Sequence, residues 1–218
     1  AQMAPLPEHP EKAKAAETRA AQYRRILEDR WWSPENSFYH TFWTEDRTFH
    51  RGEGVPFILW FDATDNPDRI RASMADILSR EWNVENMSAF PALFYRLGYH
   101  EEAYRYLTAL PQMNRSEYPE VSYGIIEGAI CGVMGIQPSL SNQSLTPCSR
   151  LAEGIAGAEA RNVHVADGYI SVKPTGRTMT GVATNTTVPL TSKATFIGSY
   201  PHVPLCDKLY PTTISPDV

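Results

Sequence analysis

The feature that most constrains this chain is an alternation of helix-length segments. "GVPFILWFDAT" is apolar on nearly all sides, as a buried helix is. "NPDRIRASMADILSR" is apolar on one stripe only, through Ile70, Met74, Ile77 and Leu78, with Asn66 at its cap and Pro67 at its first position. "NVENMSAFPALFYRLGY" is apolar again and stops at Gly98. "HEEAYRYLTAL" is amphipathic, and "EYPEVSYGIIEGAICGVMGI" is apolar. A sixth segment, Glu8 to Trp31, precedes these and is amphipathic through Ala13, Ala16, Ala20, Tyr23, Ile26 and Leu27. Between it and the first apolar segment lies an aromatic connector, in which "SFYHTFW" and "RTFH" predict a short hairpin across "TEDR". An apolar helix must be covered on most sides, and an amphipathic one covers it from outside. Short-linked neighbours pack antiparallel. The order predicts three helical hairpins with inner and outer members, a partial α/α toroid over residues 1–138.

Past Gln137 the pattern changes. "QPSLSNQSLTPCS" reads as a linker. "ARNVHV" and "YISVKP" flank the turn "ADG", and "TMTGVATNTT" and "SKATFIGSY" continue the β pattern. Residues 139–218 are expected to form the linker and a small antiparallel β-domain of four to six strands. The fold class is mainly α with a β-rich C-terminal part.

Composition narrows the partners. With net charge −5 there is no basic face for nucleic acid. Arg24, Arg25 and Arg30 share their helix with acids and read as a solvated face. No apolar run of 18 residues lacks a charge, so no membrane span is expected. The three cysteines form no CxxC pair, the histidines are scattered, and neither a metal nor a cofactor is predicted. A Cys148–Cys206 disulfide stays open, and Cys131 reads as a small core residue. The opening "AQMAPLPEHP" fits a mature terminus after removal of a signal peptide, or an expression boundary. A periplasmic or secreted location is expected.

The chemistry-bearing residues cluster at the starts of the apolar helices. "FHRGEGVPF" sets Glu53 between two glycines, with His50 and Arg51 just upstream. "REWNVENMS" sets Trp82, Asn83 and Glu85 at the next start. "YPEVSYGIIEG" sets Glu120 beside Tyr118 and Tyr123. If the inner helices run parallel, Glu53, Glu85 and Glu120 share one mouth. Acids are also favoured at helix starts for the dipole alone, so the pattern has a purely structural reading too. Glu127 reads as a buried partner of an arginine. Gly124, Gly128 and Gly132 form a stripe that lets a neighbouring helix or a ligand approach closely. No GxSxG, Walker, HExxH or GxGxxG motif is present.

The run "GEGVPFILWFDATDNPDRIRASMADILSREWNVENMSAFPALFYRLGYHEEAYRYL", followed by "YPEVSYGIIEGAICGVMGI", resembles the C-terminal half of the barrel in six-hairpin (α/α)6 glycosidases, frequent in polysaccharide-degrading Bacteroidetes. The segment "NVHVADGYISVKPTGRTMTGVATNTTVPLTSKATFIGSY" is similar to the β-rich tail after such barrels. The resemblance implies hydrolysis of a polysaccharide or oligosaccharide by paired carboxylates. It makes Glu53, Glu85 and Glu120 the candidate catalytic acids, with acid and base unassigned. His50, Trp82, Asn83, Tyr118 and Tyr123 are the candidate substrate-binding residues. A six-hairpin barrel takes twelve helices, and this pattern supplies six. The expectation is a fragment of a longer enzyme lacking an N-terminal half-barrel, a homodimer closing one ring, or a degenerate relative. Two other functions stand beside the hydrolase: a non-catalytic carbohydrate-binding module on the same fold, and a helical scaffold for a protein partner.

Overall fold

A computed structural model describes residues 10–184 apart from 114, 116, 137, 140–143, 146–148, 166, 167, 176 and 177, with backbone alone at 138–139, 144–145, 165, 168, 175 and 178–184. The described chain is mainly helical, with small antiparallel sheets. It forms two compact units, residues 1–86 and 87–218. The compositional change at residue 138 lies within the second.

The first unit opens with α1 (Pro10–Ile26), which runs on into a π-helical turn at Leu27–Trp31. No residue of α1 is buried. Two two-residue ribbons follow, β1 (Trp32–Ser33) with β2 (Phe38–Tyr39), and β3 (Phe42–Trp43) with β4 (Phe49–His50). The second is the hairpin expected across "TEDR". Its turn closes by Thr44 N–H on the Thr48 carbonyl at 3.1 Å and Arg47 N–H on the Thr44 carbonyl at 2.9 Å, with Arg47 at φ 64°.

Helix α2 (Val55–Trp60) and helix α3 (Pro67–Leu78) complete the core of this unit. Asn66 caps α3 as expected: its side-chain oxygen accepts from the amides of Asp68 and Arg69 at 3.0 and 3.2 Å. Ile70, Met74 and Ile77 are buried with Tyr39, Val55 and Leu59. The buried Tyr39 hydroxyl donates to Glu28 at 2.8 Å, and Glu28 pairs with Arg69, which lies 4.9 Å over the Trp32 ring. Burial above all raises the Tyr39 hydroxyl to about 12. Helix α2 departs from the sequence expectation. It buries Val55, Pro56 and Leu59 but leaves Phe57 exposed, and Phe61 just past its end is 70% exposed. It is covered on one face only.

Helix α4 (Val84–Leu97) passes from the first unit into the second. The second unit also holds α5 (His100–Ala109) and α6 (Pro119–Glu127), which widens into a π-helical turn at Gly128–Val133. Gly98 ends α4 at φ 86°, the left-handed conformation expected there. Phe90, Leu93, Phe94 and Tyr95 of α4 are buried, and Tyr106 of α5 meets Phe90 and Phe94 edge-on at 5.1 and 5.5 Å.

The glycine stripe of α6 packs on α4. A methyl group at Gly124 would lie 2.0 Å from the Ser88 carbonyl oxygen. At Gly128 it would lie 2.6 Å from Pro91 Cβ, and at Gly132 2.4 Å from Tyr95 Cδ2. The partners advance from 88 to 91 to 95 as the glycines advance, so α4 and α6 run parallel in near backbone contact. The opposite side of α6 is open: Tyr123 is 70% and Ile126 58% exposed. Glu127 is also at the surface rather than buried, because it lies off the glycine stripe along which α6 packs on α4. Arg96 lies near enough to act on its charge.

The π-helical end of α6 is held by Arg150, whose side chain donates to the Cys131 carbonyl at 2.9 Å and whose amide donates to the Val133 carbonyl at 3.2 Å. Cys131 is half-buried rather than in the core, and desolvation raises its thiol above the ordinary value. After a minimal pair β5 (Pro138–Ser139) and β6 (Ser144–Leu145), strands β7 (Ala160–Val165), β8 (Gly168–Thr175) and β9 (Thr178–Thr184) form an antiparallel sheet. Ile170 and Val172 are buried beneath it. The expected strand "SKATFIGSY" and both Cys148 and Cys206 lie outside the described residues.

Candidate functional site

The loop Arg51–Gly54 delivers Glu53 to the surface of the first unit. Its two glycines press against β3. A methyl at Gly52 would meet Thr41 Oγ1 at 2.7 Å and the Phe42 ring at 2.8 and 2.9 Å, and one at Gly54 would meet Thr41 Cβ at 2.9 Å. The "GEG" spacing is thus a packing requirement that projects Glu53 outward from a tightly seated loop.

Glu53 meets two of the residues at the start of α4. Its Oε2 accepts from the Asn83 side-chain amide at 3.1 Å and from that of Asn86 at 3.5 Å. Asn83 is held in place because its own oxygen caps α4, accepting from the Asn86 backbone and side chain at 2.8 and 2.9 Å. Glu53 Oε1 carries no hydrogen bond among the described residues.

Beneath the loop lies a charge network that sequence reading did not find. Asp76 of α3 is 7% exposed. It pairs with Arg51 and, at 3.3 Å, with Arg80. Arg80 donates to the Gly52 carbonyl at 3.0 Å and stacks 4.2 Å over the Trp82 ring. Burial lowers the Arg80 guanidinium, and the Glu53 charge opposes that shift, which sets the carboxylate within electrostatic reach.

Asn83 and Glu53 are therefore brought together. Trp82 has a structural part: its Nε1 donates to the Ile77 carbonyl at 2.8 Å and its ring carries Arg80. His50 stacks on Phe42 at 5.0 Å with planes 12° apart, and its Nε2 lies 3.1 Å from Thr44 Oγ1. Glu85 is exposed in the first turn of α4. Glu120 and the aromatics Tyr118 and Tyr123 belong to the second unit. Glu120 sits in the first turn of α6, Tyr118 lies under Arg115 at 4.8 Å, and Tyr123 points to solvent.

Sequence reading missed Asn86 and Phe42. Asn86 stands three residues after the cap Asn83, the spacing of a capping box, and Phe42 faces His50 in the register a hairpin across "TEDR" dictates. Among the described residues no three His, Cys, Asp or Glu side chains converge to hold a metal, and no helix is long and apolar enough to cross a membrane. No family model, curated protein or solved structure matches the chain.

Proposed function

We propose that this chain is a glycoside hydrolase, or the C-terminal portion of one, built on a partial α/α toroid. The observation that carries the reading is the Glu53 group: a surface carboxylate held through one oxygen by two amides, with no hydrogen bond to its other oxygen among the described residues and an exposed aromatic ring beside its loop. Carboxylates and amides bind sugar hydroxyls, and rings stack on the apolar face of a pyranose. The parallel run of α4 and α6 supports the toroid, since inner helices of successive hairpins must share a direction. So do the open faces of α2 and α6. These are the first and last inner helices of the series, the two that an unclosed ring would leave bare. A second copy or a further half-barrel would cover them, and such enzymes would act in the periplasm or outside the cell.

Hydrolysis needs a second carboxylate, about 5–10 Å from the first. Glu85, in the same unit at the start of α4, is the candidate, and Glu120, in the second unit, is the other acid the sequence singles out. The test is release of reducing ends from a panel of polysaccharides by the wild type and by Glu53→Gln, Glu85→Gln and Glu120→Gln. Loss of a catalytic carboxylate lowers the rate by about 100-fold or more. No cleavage of any glycan, or undiminished rates in all three variants, refutes the hydrolase. A non-catalytic carbohydrate-binding role is favoured by one observation: the hydrogen-bond partners of Glu53 are amides, with no carboxyl group among them. Glycan binding without cleavage would select it.

A further inference from the structure

We propose that the face of the β3–β4 ribbon carrying Phe42 and His50 is the stacking wall of the Glu53 group, and that this wall takes a neutral pyranose rather than a uronate. The inference rests on the carbohydrate reading above and goes beyond it in naming the wall and the sugar class.

Phe42 and His50 are cross-strand partners. Their parallel rings and the Thr44–His50 contact fix the pair. Phe42 is 46% exposed, and its edge abuts Gly52, the residue before Glu53. An open ring therefore adjoins the carboxylate. The next residue, Trp43, is also exposed but faces the other way, because successive strand residues alternate. Trp43 stacks on Phe49, and Phe49 in turn meets Trp31, so that face is joined to the end of α1 rather than to the Glu53 loop.

Charge selects the sugar. Both arginines of the loop region are committed, Arg51 and Arg80 to Asp76, and Arg80 also to the Gly52 carbonyl. Apart from Arg51, which is tied to Asp76, the exposed ionisable residues at the Glu53 loop and at the start of α4, Glu53, Glu81 and Glu85, are acids. Arg47, at the far turn of the ribbon, is the one exposed cation of the hairpin. A uronate would bring its charge to Glu53 with no uncommitted cation at the loop. Glu53 Oε1 is instead an open acceptor for a neutral hydroxyl.

The experiment is affinity electrophoresis of the full chain in gels containing neutral polysaccharides (glucan, xylan, mannan) or polygalacturonate, with calorimetry on matching oligosaccharides. The variants are Phe42→Ala, the bulkier Phe42→Leu that keeps the ribbon packed, and Trp43→Leu as the opposite-face comparison. Far-UV circular dichroism checks that each folds. The expected result is binding to a neutral glycan, weakened about tenfold or more in both Phe42 variants and retained in Trp43→Leu. Neutral-glycan binding that survives in folded Phe42→Leu, or falls equally in Trp43→Leu, overturns the wall and leaves the carbohydrate reading standing. Preference for polygalacturonate overturns the neutral-sugar assignment. No binding to any glycan overturns both readings together.

Discussion

Substituting Gly124 by alanine tests the α4–α6 contact directly. The new methyl would lie 2.0 Å from the Ser88 carbonyl oxygen, 2.8 Å from its carbon and 3.2 Å from its Cα. These are backbone atoms of a helix whose Ser88 is 6% exposed, so no flexible side-chain end can swing away. Relief requires the two helices to part by more than 1 Å (ordinary carbon contacts begin near 3.4 Å). That gap would loosen Pro91 against Gly128 and Tyr95 against Gly132 as well. Overpacking of this kind costs about 1–3 kcal/mol, and loosening a seam of three contacts places this case at the upper end. Alanine recovers about 1 kcal/mol through its helix propensity. The expected net loss is about 2 kcal/mol. It is read as a lowered urea midpoint by far-UV circular dichroism, against Ser122→Ala on the exposed side of the same helix. Ser122→Ala should gain a few tenths of a kcal/mol. A Gly124→Ala protein as stable as the wild type, or more so, would mean that α4 and α6 do not meet along the glycine stripe.

Three further outcomes are expected. Asn66→Ala removes the cap of α3 and should cost about 1 kcal/mol in urea unfolding, with Asn66→Ser retaining most of the stability. Asp76→Asn leaves Arg51 and Arg80 without their shared anion, and should cost about 3 kcal/mol, reduced by the partial exposure of Arg51. His100 has a lowered pKa, mainly from burial and then from the Arg150 charge. The unfolded chain therefore binds the proton more readily. The stability His100 contributes is present above its ordinary value near 6.5 and is lost as the pH falls through the lower folded value. A thermal midpoint that falls between pH 7 and pH 5 more steeply in the wild type than in His100→Gln would bear this out, and equal slopes would refute it.

The sequence spoke clearly where the determinants are local. Asn66 and Pro67 announce the start of α3, Gly98 the stop of α4, and "TEDR" the turn between β3 and β4, because each acts within a few residues of itself. The parts that stayed hidden depend on distant partners. Asp76 lies in an amphipathic helix where an acid reads as solvated, and its burial is made tolerable by Arg80, one turn on, together with Arg51, twenty-five residues earlier. The apolar character of α2 and α6 reads as burial all round, but hydrophobicity does not say whether a covering element is present on every side. Phe57 and Tyr123 stand in the open for that reason. Glu53 was legible as a candidate from its two glycines and its place before a helix. Its engagement with Asn83 and Asn86 was not, because that contact spans thirty residues of chain.

The division at residue 86 has a practical spectroscopic consequence. All five tryptophans, Trp31, Trp32, Trp43, Trp60 and Trp82, fall in the first unit, and the second holds tyrosines and phenylalanines but no tryptophan. Tryptophan emission is therefore a reporter placed on one unit by the sequence itself. A ligand at the Glu53 loop would alter it through the neighbourhood of Trp82. Loosening of the glycine-striped helices would have to be followed by tyrosine absorbance or by nuclear resonance, because no native tryptophan stands in that unit to register it.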